Sequence, residues 1–253
     1  MRSLVLLAAF FSPLALAQVV IDVAPHEVMR LPASVSMLHV ERLRIAEHGT
    51  LLIPASLSEM RVAELRLGRD ARIAIAPADQ VFRLEVASGE IASGAQISAR
   101  GARGTPQQPA LPGRALSIRL QAVVAESLLL DARGGSGAPG YTGLDGADGQ
   151  AGGCTWGQAS RGHDGQDGGD GQEGAAGAQV RLELPVDFPA QALQVRLDGG
   201  AGGVAGQAGQ GGRGGLSKGC WLYSTQGAGD GRPGQAGKAG AAGPSGRVDL
   251  LRF

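Results

Sequence analysis

The chain has 253 residues, of which 43 are glycine, and its 23 basic and 23 acidic side chains give a formal net charge of zero. Glycine is far above its usual share of about 7%, whereas aromatic residues make up only 4%. The balanced charge argues against nucleic acid as a partner, because a phosphate-binding protein needs a basic surface.

Residues 1–17 have the pattern of a secretory signal peptide. Arg2 supplies the charged start, residues 4–11 are apolar, and residues 15–17 form a small-x-small cleavage site. The apolar stretch is shorter than the ~20 residues that a transmembrane helix requires. We therefore expect an exported chain that starts at Gln18, has no membrane span, and resides in the extracellular space, at the cell surface or in the periplasm.

After the signal peptide, the sequence shows four successive windows of 22 residues with matching positions. The repeat windows begin at Gln18, Val40, Val62 and Leu84. A Pro-Ala-Ser corner recurs in register at 32–34 and 54–56, and apolar and polar residues alternate within each window, as in strands with one buried face. This pattern predicts an all-β fold, a parallel β-solenoid whose coils bury their apolar faces against one another. The alternative is an antiparallel sandwich with evenly spaced strands.

Similar strand endings lead into glycine-rich excursions. Residues 97–101 resemble residues 130–134, and we align residues 197–200 with both. We therefore interpret the excursions as insertions at one corner of successive coils, which project together. Strand patterns resume at 116–130, 180–197 and 248–253. The predicted organisation is a set of coils in 18–133, glycine-rich hairpins in 134–177 and 199–246 with a coil in 178–198 between them, and a terminal strand in 247–253. No α-helix is expected in the mature chain.

Glycine occupies every third position in four runs. We name them run 1 (134–152), run 2 (162–177), run 3 (200–215) and run 4 (231–246). Cys154 and Cys220 follow runs 1 and 3, each twenty residues after the first glycine of its run. If both segments have the same backbone conformation, twenty residues cover the same distance, so the two cysteines lie at the same distance from the start of their runs. We therefore expect a Cys154–Cys220 disulfide at the tip of two adjacent hairpins, in an oxidising compartment.

The Gly-X-Y period of the four runs resembles that of bacterial collagen-like proteins, in which only glycine fits at the axis of a triple helix. That resemblance implies a trimer. Collagen-like sequences carry ~15–20% proline or more, whereas these runs contain only Pro139, Pro233 and Pro244. The alternative, which we favour, is a bundle of polyproline-II helices within one monomeric chain. There, glycine faces would let neighbouring backbones approach and pair their N–H and C=O groups.

In their three-residue glycine repeat the runs also resemble the snow-flea antifreeze proteins and the tip of certain phage long-tail-fibre adhesins. Both of these stack glycine-rich polyproline-II helices. The resemblance carries no ligand residue over to this chain. Run 3 has additional glycines at 199, 202, 211 and 214. Because glycine has no side chain, two faces of run 3 would carry no side chains, and other runs could pack against both. We therefore expect run 3 to be the most enclosed helix.

An acidic row in runs 1 and 2 is the strongest metal candidate. It comprises Asp145, Asp148, Asp164, Asp167, Asp170 and Glu173. Successive members of one run would lie about 9 Å apart, too far for one ion to bridge them at about 2.3–2.6 Å. We therefore favour the interpretation that the acidic row is a solvated or salt-bridged face of the runs, with Arg213, Arg232 and Lys238 as possible partners. We expect neither a metal nor another cofactor.

The aromatic residues Trp156, Trp221 and Tyr223 cluster near the two cysteines. They either pack on the disulfide as a small lid core or form a contact surface at the end of a stalk, because tryptophan and tyrosine are favoured at recognition sites. The four histidines lack metal-ligand spacing, and no motif for a nucleophile or a nucleotide is present. We expect no catalytic residue.

Together these patterns favour an exported, non-enzymatic structural or adhesive protein that contacts an unidentified surface, glycan or protein. One alternative is a trimeric collagen-like matrix or stalk protein. A second is a glycan-active solenoid enzyme, since fold alone does not define function. Ice binding is a further alternative, against which the many charged X and Y residues argue.

Overall fold

The computed structural model describes residues 19–154 and 157–253. The expected signal peptide, residues 1–17, and Trp156 lie outside the described residues. Regular structure in the described part is almost entirely β, with one 3-10 turn at Ala190–Ala192. No helix in those two ranges is long and apolar enough to cross a membrane.

Two parallel sheets form the body of the protein. The seven-stranded sheet has the order β1 (Val20–Val23), β3 (Met37–Ile45), β5 (Glu59–Leu67), β7 (Phe82–Ile91), β9 (Leu116–Ala125), β11 (Gln179–Leu184) and β15 (Arg247–Arg252). The six-stranded sheet contains β2 (Val28–Arg30), β4 (Thr50–Ile53), β6 (Arg72–Ile75), β8 (Ala95–Ser98), β10 (Leu128–Asp131) and β12 (Leu193–Arg196) in sequence order. The chain therefore visits the two sheets alternately, and each visit adds one parallel strand.

The alternation seen in the sequence determines which side chains enter the core. In β5, Met60, Val62, Leu65 and Leu67 are buried, whereas Arg61 and the other charged residues face outward. Successive side chains of a strand point to opposite faces, and β5 follows this rule on either side of Ala63 and Glu64. The step of three from Val62 to Leu65 interrupts the alternation there, and the buried residues on both sides of it face the same core. The buried side chains of both sheets meet in a single apolar cluster that runs from Ile21 to Ala192.

The strand register follows the 22-residue repeat only at first. Val20 pairs with Arg42 and Met37 with Glu59, both 22 residues apart. Met60 then pairs with Leu84, which is 24 residues further on. The predicted repeat window at Leu84 is therefore wrong by two residues. The corner that follows Ile75 contains the two additional residues, and an even shift leaves the buried face unchanged.

A buried arginine holds this enlarged corner. The guanidinium of Arg114 donates to the backbone carbonyls of Leu57, Ala76 and Gln80 at 2.7, 3.2 and 3.0 Å. Arg114 is only 1% exposed and lies over the ring of Phe82. Because the carbonyls of a buried corner need hydrogen-bond donors, Arg114 satisfies groups that would otherwise be unpaired.

A second register correction concerns the start of run 3. Leu130 pairs with Ile97, as expected, but it also pairs with Val195. Leu197 is therefore not equivalent to Leu130, and our alignment of residues 197–200 was displaced by two residues. The strand ending resembles the others because the alternating pattern is unchanged by a two-residue shift.

The glycine runs continue the two sheets. Runs 1 and 3 follow the paired strands β10 and β12, whereas runs 2 and 4 lead into the paired strands β11 and β15. At the junction below run 1, the buried carboxylate of Asp131 accepts hydrogen bonds at 2.9 and 2.8 Å from Arg133. The register of the sheets therefore determines how the runs align with one another.

Candidate functional site

Hydrogen bonds between different runs hold the four glycine runs together, and these bonds repeat every third residue. The antiparallel pairs are runs 1 and 2, runs 2 and 3, and runs 3 and 4. Parallel bonds join run 1 to run 3 and run 2 to run 4, for example from the N–H of Gly140 to the carbonyl of Val204 at 2.9 Å. Runs 1 and 2 therefore form one hairpin, runs 3 and 4 form a second, and the two hairpins lie side by side.

Run 3 is the most enclosed of the runs. Its glycines at 203, 206, 209, 212 and 215 are all buried, whereas those of run 4 are half-buried. Gly206 donates to Gly169 and accepts from Gly237, at 2.9 and 3.0 Å. A side chain at Gly206 would overlap the carbonyl oxygen of Tyr141. This glycine is therefore required by the close approach of three other segments.

The five aspartates of the acidic row accept hydrogen bonds from backbone N–H groups of other runs, and Asp164 also forms an ion pair with Arg161 at 3.3 Å. The carboxylates of Asp145 and Asp148 in run 1 accept the N–H groups of Gln210 and Arg213 in run 3, at 2.6 and 2.7 Å. Three equivalent bonds of 2.6–2.7 Å join run 2 to run 4. They join Asp164 to Arg232, Asp167 to Gln235 and Asp170 to Lys238.

Each of these aspartates is followed by a glycine that binds the same partner residue. Asp164 accepts the N–H of Arg232 at 2.7 Å, and Gly165 donates its own N–H to the carbonyl of Arg232 at 2.8 Å. We call this two-point contact the Asp-Gly clamp. It occurs five times, at the five aspartates named above. The clamp fixes one run against its parallel neighbour.

The clamp changes the interpretation of the acidic row. Arg213, Arg232 and Lys238 are indeed partners, but they contribute backbone N–H groups where we expected side-chain charges. The bond from Arg232 lowers the pKa of Asp164, because it stabilises the ionised carboxylate. Among the described residues, no group of three or more His, Cys, Asp or Glu side chains is arranged to hold a metal ion.

The far end of the runs is cross-linked as expected. Cys154 and Cys220 form a disulfide with a Cα–Cα distance of 5.7 Å, and the two residues are 66 positions apart. Cys220 lies in a tight turn between β13 (Lys218–Gly219) and β14 (Ser224–Thr225), a short antiparallel hairpin. The disulfide joins this hairpin to the end of run 1.

Large side chains at the tip are exposed to solvent. Trp221 is 96% exposed, Leu222 is 84% exposed and Tyr223 is 52% exposed. Trp221 therefore does not form the buried lid core that we considered. The hydroxyl of Tyr223 donates to the carbonyl of Cys154, so Tyr223 contacts both halves of the tip.

A shallow groove lies beside these aromatic residues, and we call it the tip groove. Its side chains come from Gln158, Ala159, Tyr223, Ser224, Thr225 and Gln226, and three glycines complete it. Thr225 packs against Gly152. Its hydroxyl donates to the backbone carbonyl of Lys218 at 3.4 Å. Among the described residues that line the groove, none is charged.

The Asp-Gly clamp and the tip groove were not predicted from the sequence. The Asp-Gly clamp had a signal, because every aspartate inside runs 1 and 2 directly precedes a glycine of the three-residue repeat. The tip groove had none, because Gln158 and Gln226 come together only through the pairing of distant runs. Of the predicted tip residues, the structure places Trp221 and Tyr223 at the tip with the disulfide.

Comparison of the chain with protein-family models, curated proteins and solved structures gives no match.

Proposed function

We propose that this chain is an exported, non-enzymatic adhesive protein. A β-solenoid base displays a polyproline-II bundle, and the disulfide-linked tip of the bundle contacts a surface, a glycan or another protein. The observation that carries the proposal is the exposure of Trp221, Leu222 and Tyr223 on a cross-linked tip. Exposed aromatic residues on a rigid support are characteristic of recognition sites.

The solenoid interpretation is supported by the alternate addition of parallel strands to two sheets. The polyproline-II interpretation is supported by the three-residue period of the bonds between runs, because that helix has three residues per turn and no internal hydrogen bonds. The monomer is supported by glycine N–H groups that find partners within the chain. A disulfide is compatible with export to an oxidising compartment.

Rigidity favours adhesion through the tip. The two hairpins are fixed along their length by the Asp-Gly clamps and at their end by the disulfide. A preorganised contact surface loses little conformational entropy on binding. Burying the exposed rings of the tip would then contribute to affinity through the hydrophobic effect.

The proposal can be tested with immobilised polysaccharides and fibrous matrix proteins as probes. We expect the wild-type protein to bind at least one of these surfaces. The double variant Trp221→Ser, Leu222→Ser should bind the same surface with about one tenth of the wild-type affinity, or with a still lower affinity. Val204→Ser is the matched control, because Val204 is 67% exposed on run 3, away from the tip. Equal binding by the tip variant and the wild type, or no binding to any probe, would contradict the proposal.

A further inference from the structure

We infer that the tip groove binds a neutral oligosaccharide. This inference rests on the proposed adhesive function and narrows its ligand to one chemical class. The groove combines uncharged hydrogen-bonding side chains with adjacent aromatic rings, on a support that is fixed by covalent and hydrogen bonds.

The polar side chains of the groove match sugar hydroxyls. Gln158, Ser224 and Gln226 are exposed. Amide and hydroxyl side chains both donate and accept hydrogen bonds. A sugar hydroxyl has the same dual capacity, so neighbouring hydroxyls of one ring can pair with neighbouring side chains here. A groove of purely aliphatic side chains would lack this capacity.

The aromatic residues provide the second element of a sugar site. Tyr223 lines the groove, and Trp221 lies two positions before it in the same turn. The C–H face of a pyranose ring is apolar and packs against the face of an aromatic ring, while the hydroxyls at its rim remain available for hydrogen bonds. The hydroxyl of Tyr223 contacts the carbonyl of Cys154, so this ring lies next to the disulfide.

The absence of charge from the tip groove determines which sugars fit. None of the lining residues within 19–154 and 157–253 is Lys, Arg, Asp or Glu. A uronate, sulfate or phosphate group would lose hydration on entering without gaining an opposite charge. By contrast, the groove on the outer face of the seven-stranded sheet is lined by Arg83, Arg119 and Arg181 together with acidic residues. The tip groove is therefore better suited to an uncharged ligand than this charged groove.

The test uses an array of defined neutral and acidic oligosaccharides with the full secreted protein. We expect retention on neutral members of the array, equally at low and high salt, because screening does not weaken contacts between uncharged groups. The double variant Gln158→Ala, Gln226→Ala should bind about tenfold more weakly, since it loses two sets of hydrogen bonds. The double variant Gln207→Ala, Gln235→Ala, at exposed positions of runs 3 and 4, should bind like the wild type.

Three results would overturn the inference: binding only to acidic oligosaccharides with strong salt dependence, no retention by any neutral oligosaccharide, or equal loss in both double variants. Binding to a matrix protein that depends on Trp221 but not on Gln158 and Gln226 would refute the sugar site and leave the adhesive function in place. If the Trp221→Ser, Leu222→Ser variant matches the wild type on every probe, the adhesive function itself fails.

Discussion

The carboxylate of Asp167 accepts the backbone N–H of Gln235 at 2.7 Å, although the two residues are 68 positions apart. Gly168, the residue after Asp167, donates to the carbonyl of the same Gln235 at 2.8 Å. One dipeptide thus satisfies both backbone groups of a residue in the parallel neighbouring run. Repetition of this contact aligns run 2 with run 4.

Removal of one carboxylate from the clamp tests its contribution to stability. We expect Asp167→Ala to lower the melting temperature, because the N–H of Gln235 loses its acceptor. Asp167→Asn should have a smaller effect, since an amide oxygen still accepts a hydrogen bond. Glu173→Ala is the control, because Glu173 occupies an equivalent position of run 2, two repeats after Asp167, without such a bond to the described residues. Equal melting temperatures for all three variants would argue against the clamp.

The clamp at Asp164 predicts a dependence of stability on acid pH. The bond from Arg232 lowers the pKa of Asp164 in the folded protein, whereas the unfolded chain retains the ordinary value of about 3.9. The unfolded chain therefore takes up the proton first as the pH falls. The contribution of Asp164 declines from about pH 4 downward and is gone only below the lower pKa of the folded protein. The urea midpoints of the wild type and Asp164→Asn should differ above about pH 5 and converge progressively as the pH falls below about 4. A difference that does not vary with pH would refute this assignment.

Substitution of a glycine in run 3 tests its enclosure by the other runs. Gly206→Val places a side chain where the backbone of Tyr141 lies, and overpacking of this kind costs about 1–3 kcal/mol or more. Gln207→Val changes the next residue, whose side chain is exposed, and should have little effect. Thermal melting compares the two variants. Small, equal shifts would mean that run 3 is a loose surface segment.

Reduction of the disulfide should loosen the tip and lower the stability of the whole chain. Cys154 and Cys220 are 66 positions apart, and the loop-entropy model assigns such a bridge about 4 kcal/mol. The double variant Cys154→Ser, Cys220→Ser should therefore melt at a lower temperature than the oxidised wild type. It should match the reduced wild type. Peptide mapping without reductant should recover the two cysteines in one linked peptide pair, and recovery of free thiols would contradict the cross-link.

The sequence predicts the features that depend on local pattern. Alternation in segments such as Leu43-Arg44-Ile45 indicates strands, and the two buried residues of that segment do lie in the core. The equal positions of Cys154 and Cys220 after their glycine runs predict the disulfide, since the runs rise together. These patterns are short or periodic, so one sequence is sufficient to recognise them.

The remaining features depend on contacts that pattern does not encode. The register beyond Ile75 shifts by two residues. An even shift keeps the same side chains on the buried face, so the alternation of apolar and polar residues does not reveal it. The burial of Arg114 results from three carbonyls that converge from two different corners. Likewise, Asp164 binds the backbone of Arg232 and not its side chain, because the backbone N–H lies within reach once the runs pair.

The most direct test of the single-chain bundle is the mass of the folded protein in solution. Light scattering coupled to size-exclusion chromatography should give the mass of one chain, because the glycine N–H groups already have partners within that chain. A trimer would require the same glycines to pack at the axis of three separate chains. A mass of three chains that falls to one in a collagen-like melting transition would contradict the single-chain bundle.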